Sequence, residues 1–383
     1  MNIFICIPCL MTGGTEIQTL SLQKALKTAG HDVSVACYFE YSEEMVQRYK
    51  DAGAKVFLLS PTGERPEGMK KTFRHLYKGL KKIVRETHPE VVHVQYMAPG
   101  AMPIIILRLL GVRNIVATAH TPGDIYSPTG LKIIRFLNRY FLKGFQCITL
   151  RAEKSFFGTV SLYSSDLPLK KKNNHFTIYN NVPDYIERLE NGERLTSKSD
   201  QSLKTPRNFT IGVISRLEPI KGMDLVIPAF SKVHPEFPNS RLLIVGEGSL
   251  RASMERQASE LNLPVTFVGR QPQEKLQDFY DQIDILLMPS RSEGFGLTAV
   301  EGMTRGCVPV VADVGGLPEV VEDVKNGLLH KREDVADMAE KIKGLLAAPE
   351  ELGRLSKAAI KRSEEFSTIK YNEAIADWFT RLL

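Results

Sequence analysis

Residues 284–313, DILLMPSRSEGFGLTAVEGMTRGCVPVVAD, read as a strand, a glycine-containing loop, a helix and a second strand. The apolar run ends at Pro289 and Ser290, Gly294 and Gly296 let the backbone come close to a ligand, and a helix begins near Leu297. In that order, strand, loop and helix N-terminus aim backbone N–H groups and the positive end of a helix dipole at one point, which suits a phosphate. Glu293 falls in the loop and Glu301 about one turn into the helix. The two carboxylates therefore flank the anion pocket, where they can accept hydrogen bonds from sugar and ribose hydroxyls. On spacing alone they read equally well as solvated acids that favour a helix start.

The same alternation runs outward in both directions. Toward the N-terminus, β-rich runs (NIFICIP, HDVSVACY, KVFLLS, VVHVQY, NIVATAH, QCITL) are separated by amphipathic segments at 15–29, 43–52, 69–86, 101–110 and 130–143. Around 284–313 the pattern continues as FTIGVIS, a helix from about Met223, RLLIVGEG, a helix near 250–261, VTFVG and a helix near 273–280. This is the signature of βαβ units around parallel sheets. Between the two sets, Pro183 to Asn208 is polar and poor in aliphatics, as a linker or surface loop is. The reading is α/β: two Rossmann-like, doubly wound parallel-sheet domains facing a central cleft, because open α/β sheets bind ligands beyond the carboxyl ends of their strands. The boundaries are 1–182 for the first domain, 183–207 for the linker, 208–366 for the second domain and 367–383 for a last helix that returns to the first.

With 383 residues the chain exceeds the roughly 250–300 at which one hydrophobic core stops growing. At 43% hydrophobic and 25% charged residues it is neither disordered nor membrane-spanning in composition. The net charge of +6 is uneven: residues 1–180 hold 24 Lys and Arg against 13 Asp and Glu, and residues 181–383 hold 26 against 31. The basic first half suits an anionic partner. Five cysteines, mostly in apolar runs, read as buried reduced thiols. NIFICIP is too short for a secretory h-region and lacks a basic start, so a cytoplasmic protein is expected.

Three further constellations bear on function. In VISRLEPIKGMDL, Arg216 and Lys221 follow the strand FTIGVIS, and cations at a strand's carboxyl end can neutralise a diphosphate. Gly13 and Gly14 form a strand-to-helix turn, but the spacing is not G-x-G-x-x-G and no ribose-binding acid follows the second strand, which disfavours a nicotinamide site. His120 ends the strand NIVATAH ahead of Thr121, Pro122 and Gly123, a place from which it can position a reacting group. Cys6 and Cys9 have the C-x-x-C spacing but precede the helix start that a redox dithiol requires. No His, Cys or Asp set has metal-ligand spacing, so neither a metal nor another cofactor is expected.

These motifs together resemble the retaining glycosyltransferases of family 4, which have the GT-B fold. EGFGLTAVE carries the family's Glu, seven residues, Glu pattern, and SRLEPIKG, VGEGSL, VTFVGRQP and GGLPEVV accompany it in order. The resemblance implies that Glu293 contacts the donor sugar, that Glu301 holds the ribose, and that Arg216 and Lys221 grip the diphosphate. By the same match, backbone groups of Phe295, Gly296, Leu297 and Thr298 meet the sugar and phosphates. The turn Gly13–Gly14 lies near the diphosphate, Gly269 and Arg270 lie near the base, and His120 faces the sugar ring. It further implies metal-independent front-face attack, in which the departing phosphate oxygen helps take the acceptor's proton. The chain departs from the family's Asn-Gly-Val-Asp at the crossover, reading Asn180, Asn181, Val182, Pro183, Asp184, and 60–70 matches nothing in the family.

KKTFRHLYKGLKKIVRE (70–86) and LKIIRFLNRYFLKGF (131–145) are basic and amphipathic, and such helices lie on anionic lipid or pack on their own sheet with a solvated rim. The expectation is a protein peripheral on the inner membrane face that moves sugar from a UDP- or GDP-linked donor to a saccharide acceptor, one carried on a lipid, in cell-surface polysaccharide synthesis. The alternatives are a sugar-nucleotide epimerase of the same fold or a non-catalytic nucleotide-binding module. Nucleic acid is not an expected partner, since no basic motif is interleaved with aromatics.

Overall fold

The computed structural model describes residues 1–96, 100–168, 174–189 and 208–382. They fall into two compact units, Met1–Asn181 with Thr368–Leu383, and Val182–Ser367. Of the tract expected as a linker, 190–207 lies outside the described residues, and 183–189 belongs to the second unit.

The first unit holds β1 (Asn2–Ile7), β2 (Asp32–Cys37), β3 (Lys55–Leu58), β4 (Val91–Tyr96), β5 (Ile115–Ala119), β6 (Gly144–Cys147) and β7 (His175–Thr177). They pair in parallel in the order β3-β2-β1-β4-β5-β6-β7. Its helices are α1 (Gly14–Thr28), α2 (Glu43–Asp51), α3 (Met69–Thr87), α4 (Ala101–Leu109), α5 (Pro128–Phe141) and α6 (Leu150–Phe157). Several starts are set by side chains that accept from the first turn's N–H groups: Ser42 from Met45, Ser127 from Gly130 and Thr149 from Ala152. The sequence patterning assigns nothing to α6 and β7, since eight and three residues are too few to show a period.

The second unit holds β8 (Phe209–Ile214), β9 (Ser240–Val245), β10 (Val265–Gly269), β11 (Ile285–Met288), β12 (Val308–Ala312) and β13 (Leu328–His330), in the order β10-β9-β8-β11-β12-β13. Its helices are α7 (Val226–Val233), α8 (Arg251–Glu260), α9 (Leu276–Tyr280), α10 (Leu297–Thr304), α11 (Leu317–Val320), α12 (Val335–Ala347) and α13 (Pro349–Ser363). The expected helices from Met223 and from 273 each open with a 3₁₀ turn, Met223–Leu225 and Gln273–Lys275, before the α-helix begins. Strands β5 and β12 are buried along their whole length, as strands covered on both faces must be, which accounts for their near-continuous apolar sequence.

The last helix, α14 (Thr368–Thr380), belongs to the first unit. It fully buries Trp378 and Phe379, and Trp378 packs edge-on to His93 of β4 and Phe176 of β7. Burial of a side chain of the Phe379 kind is worth roughly 1.5–3 kcal/mol, so this docking is a substantial part of the unit's stability. Asn181, where the unit's main segment ends, closes it: Gln18 of α1 donates to its carbonyl at 2.8 Å and its amide side chain donates to Thr368 at 3.2 Å.

Each sheet reverses its winding once, between β1 and β4 in the first unit and between β8 and β11 in the second. Ligands of doubly wound sheets bind beyond the carboxyl ends of the strands at such a point. In the second unit the loops there follow Ile214 and Met288. Those loops carry Arg216 and Lys221 on one side and Glu293 on the other.

Candidate active site

Lys221 and Glu293, 72 residues apart, meet because β8 and β11 are neighbours in the sheet. Nζ of Lys221 lies 2.6 Å from Oε2 of Glu293, with 22% and 15% of the two side chains exposed. Two glycines bring the loops this close. A Cβ on Gly222 (φ +66) would stand 1.9 Å from the carbonyl oxygen of Pro289, and one on Gly315 (φ +54) 1.8 Å from that of Glu293. No other residue fits either place without moving backbone. The Gly315–Gly316 turn also donates its second N–H to Glu293 O at 3.1 Å, which gives GGLPEVV a part in the site that its sequence does not announce.

Arg291 fastens the same two loops. Its guanidinium forks onto Asp224 with two bonds of 2.7 Å and also contacts Pro219 O and, at 3.3 Å, Glu333, while its backbone N–H donates to Ile220 O at 2.9 Å. The fork holds the Asp224 carboxyl below its ordinary range. Arg216 is exposed, and the turn after it is held by Glu218, which accepts from Ser249 N and Oγ at 3.0 and 2.6 Å. Gly269 is buried in the left-handed region (φ +84) and accepts from Gly246 N, while Arg270 beside it is exposed.

Helix α10 starts at Leu297 after Gly296, itself left-handed, and no side chain caps it. Leu297 and Thr298 are half-buried, whereas Phe295 is buried edge-on to Phe366, so only its backbone is available to a ligand. From Ala299 to Thr304 the helix is buried, which makes Glu301 an interior carboxylate, 5% exposed. Both its oxygens accept from phenols: Oε1 from Tyr185 at 2.7 Å and Oε2 from Tyr280 at 2.6 Å. Burial holds its pKa above the ordinary carboxylate value, an effect that the bonds from Tyr280 and Tyr185 offset only in part. It is therefore not a solvated helix-start acid. Neither tyrosine is signalled by the sequence, Tyr185 because it lies in the polar tract.

In the first unit Gly13 is the N-cap of α1 and Gly14 its first residue. Glu16, which no sequence motif marks, is 6% exposed just behind them and accepts from the Cys9 thiol at 3.2 Å. Burial pushes Cys6 and Cys9 up to about 12, so both stay thiols and the redox reading of C-x-x-C fails. His120, 8% exposed at the end of β5, makes a 2.6 Å contact from Nε2 to Gln95 Oε1 on β4. Behind it His93, 0% exposed, contacts Thr118 at 2.6 Å. Burial lowers His120 to about 4 and His93 to about 3, so both rings are neutral at pH 7.

Below pH 6.5 the unfolded chain takes up protons at these imidazoles that the folded chain refuses, and the folded protein loses stability as pH falls toward 4. The loss across that window is about 3 kcal/mol from His120 alone. Thermal unfolding at pH 7 and pH 4.5 checks this: Tm falls on acidification, and falls less in His120→Gln. An equal fall in both proteins removes His120 as the cause.

Among the described residues no group of three or more His, Cys, Asp and Glu side chains is placed to hold a metal ion, and no helix is long and apolar enough to cross a membrane.

Residues 12–160 match Glycosyltransferase Family 4 and residues 196–362 match Glycosyl transferases group 1. An uncharacterised glycosyltransferase of Methanocaldococcus jannaschii is 30% identical over 294 residues, covering 76% of this chain and 74% of that one. The chain belongs to glycosyltransferase family 4. The D-inositol 3-phosphate glycosyltransferase of Segniliparus rotundus is 34% identical over 194 residues, 49% of this chain, and the match spans 42% of that protein's length. The fold is similar to that of Anabaena HepE crystallised with UDP and glucose, with a TM-score of 0.77, 20% identity and 99% of each chain covered. The two Rossmann-like sheets of this family 4 glycosyltransferase are thus those of a GT-B protein.

Proposed function

We propose that the second unit binds a UDP- or GDP-linked sugar and that the protein transfers the sugar, with retention, to a hydroxyl of a lipid-linked saccharide in the assembly of cell-surface polysaccharide. The observation that carries this reading is the Lys221–Glu293 pair beside the uncapped start of α10, at the switch point of the sheet. Cations and helix N–H groups there meet the charge that grows on a leaving diphosphate, which is where electrostatic stabilisation is worth most. Support comes from HepE, crystallised with UDP and glucose, and from the Segniliparus relative, named for transfer to an inositol phosphate.

In this scheme Arg216 and Lys221 neutralise the diphosphate, Glu301 anchors the ribose, Gly269 and Arg270 flank the base, and Glu293 takes hydroxyls of the sugar. The bond from the anomeric carbon to the phosphate oxygen breaks, and the acceptor oxygen bonds to the same face of that carbon. The acceptor's proton passes to the departing phosphate oxygen. His120, neutral at pH 7, keeps the sugar-facing role that the family resemblance implies, and Gly13 and Gly14 keep theirs at the diphosphate.

The lipid side of the proposal is supported by α3, α4 and α5. Leu76, Leu80, Ile83, Ile104, Leu107, Ile134 and Leu137 bury their inner faces in the first unit's core. Their outer faces carry exposed Met69 (79%), Leu109 (67%), Phe136 and Tyr140 (54% each). α3 alone has seven Lys and Arg against the single acid Glu86, and the acid is paired with Lys55. Apolar groups among cations suit the surface of an anionic bilayer, here the inner face of the membrane. Cosedimentation with vesicles rich in phosphatidylglycerol at low salt tests this. The wild type binds, and reversing Lys78, Lys81 and Lys82 to Glu weakens binding on the order of a hundredfold or more. If the wild type ignores the vesicles, or the triple variant binds and transfers sugar to a lipid acceptor unimpaired, the membrane part is wrong.

A further inference from the structure

The segment 182–189, where the chain departs from the family's crossover pattern, is laid down on the second unit by several bonds. Val182 N donates to Phe366 O at 2.8 Å, Glu187 N to Gln277 Oε1 at 2.7 Å, and Arg305, itself forked onto Asp281, to Glu187 O at 2.6 Å. In its middle Tyr185, half-buried, donates its phenol to Oε1 of Glu301.

The two tyrosines on Glu301 are not equivalent. Tyr280 is fully buried at the end of α9, and its carbonyl accepts from Cys307 Sγ and Ile283 N, so it is fixed in the core. Tyr185 reaches the carboxylate from a short surface segment. A nucleotide ribose offers a pair of hydroxyl donors, and the oxygen they can reach without disturbing the core is the one that Tyr185 occupies. Each oxygen of Glu301 has room for a second bond by valence, but the side chain is only 5% exposed, so a ribose hydroxyl reaches it when a covering group moves aside, and Tyr185 is the phenol that is part-exposed.

We propose that Tyr185 is a plug on the ribose anchor: its hydroxyl holds a ribose hydroxyl's place on Glu301 in the nucleotide-free protein, and the donor's ribose displaces it. This rests on the reading of Glu301 as the ribose anchor given above. Displacement has two consequences. The bond to Tyr185 must be given up before the donor is held, so the apparent donor affinity is lower than the site alone would give. Donor binding also loosens 182–189, the stretch that continues the chain from Asn181.

The test is calorimetric titration of UDP and of GDP into the full chain, as wild type, Tyr185→Phe and Glu301→Gln, with hydrogen exchange followed at 182–189. Tyr185→Phe keeps the ring and removes only the plug's donor. Its dissociation constant for the nucleotide that binds falls about fivefold, the net worth of one hydrogen bond. In the wild type, exchange at 182–189 speeds up on saturation; in nucleotide-free Tyr185→Phe it is already fast. Unchanged or weaker binding by Tyr185→Phe, or slower exchange in the saturated wild type, overturns the plug. Glu301→Gln separates the two ideas. If it binds nucleotide as tightly as the wild type, the ribose-anchor reading itself is wrong; if it binds weakly while Tyr185→Phe gains nothing, only the plug is wrong.

Discussion

Glu293→Gln lowers kcat for sugar transfer about a thousandfold and leaves nucleoside diphosphate affinity within about threefold of the wild type. The split follows from where the carboxylate sits. Its backbone is fixed by Gly315 and Gly316 and its loop by the Arg291–Asp224 fork, neither of which involves the side chain. The substitution therefore leaves the uncapped start of α10 in place. What it removes is the negative charge that pairs with Lys221 and that, in the proposed function, faces the donor sugar. Initial rates at saturating donor, with calorimetry on the same preparations, measure both halves. A variant that keeps its turnover, or loses nucleotide binding along with it, would place Glu293 elsewhere in the reaction.

Lys221→Ala has the larger effect on binding. In the structure the ammonium pairs with Glu293, and in the proposed site it is, with Arg216, a cation for the bound diphosphate. Its removal takes away that cation and leaves a carboxylate, 15% exposed, with no counter-charge next to an incoming dianion. The expected result is a rise in the nucleoside diphosphate dissociation constant on the order of a hundredfold, with kcat/KM for the donor falling at least as far. The double variant Lys221→Ala, Glu293→Gln is diagnostic. With the stranded carboxylate gone, part of the nucleotide affinity returns although turnover does not, a non-additivity that two independent surface charges would not show.

Much of this site was legible in the sequence because its parts are local. A strand, a glycine loop and a helix within 284–313 fix where Glu293 and Glu301 stand along the chain, and both sheets follow from the alternation of β-rich and amphipathic runs. What was not legible depends on strand order. Lys221 meets Glu293 only because β8 lies beside β11, and adjacency of non-consecutive strands leaves no periodic trace. The glycine of SRLEPIKG and the pair in GGLPEVV match a family pattern in the sequence, but their physical reason, the Pro289 and Glu293 carbonyls packed against Gly222 and Gly315, is tertiary. Tyr185 was hidden for a different reason: a polar tract reads as spacer, and an aromatic within it carries no sign of a buried partner 116 residues away. The sequence patterning assigns no elements between 321 and the last helix, where β13, α12 and α13 lie. The amphipathic pattern of the two basic helices is plain in the sequence, but that α4 packs against both α3 and α5, with Met69, Phe136 and Tyr140 left exposed, is a tertiary fact.

In the proposed nucleoside diphosphate site of the second unit, Lys221 is a binding cation beside Arg216 and Glu293 serves turnover. The most direct test is calorimetric titration of UDP and GDP, in the presence of EDTA, into wild type, Lys221→Ala and Glu293→Gln. The expected result is saturable one-to-one binding of at least one of the two nucleotides by the wild type, retention of that binding in Glu293→Gln and its severe loss in Lys221→Ala. Binding of neither nucleotide by the wild type, or equal binding by wild type and Lys221→Ala, would contradict it.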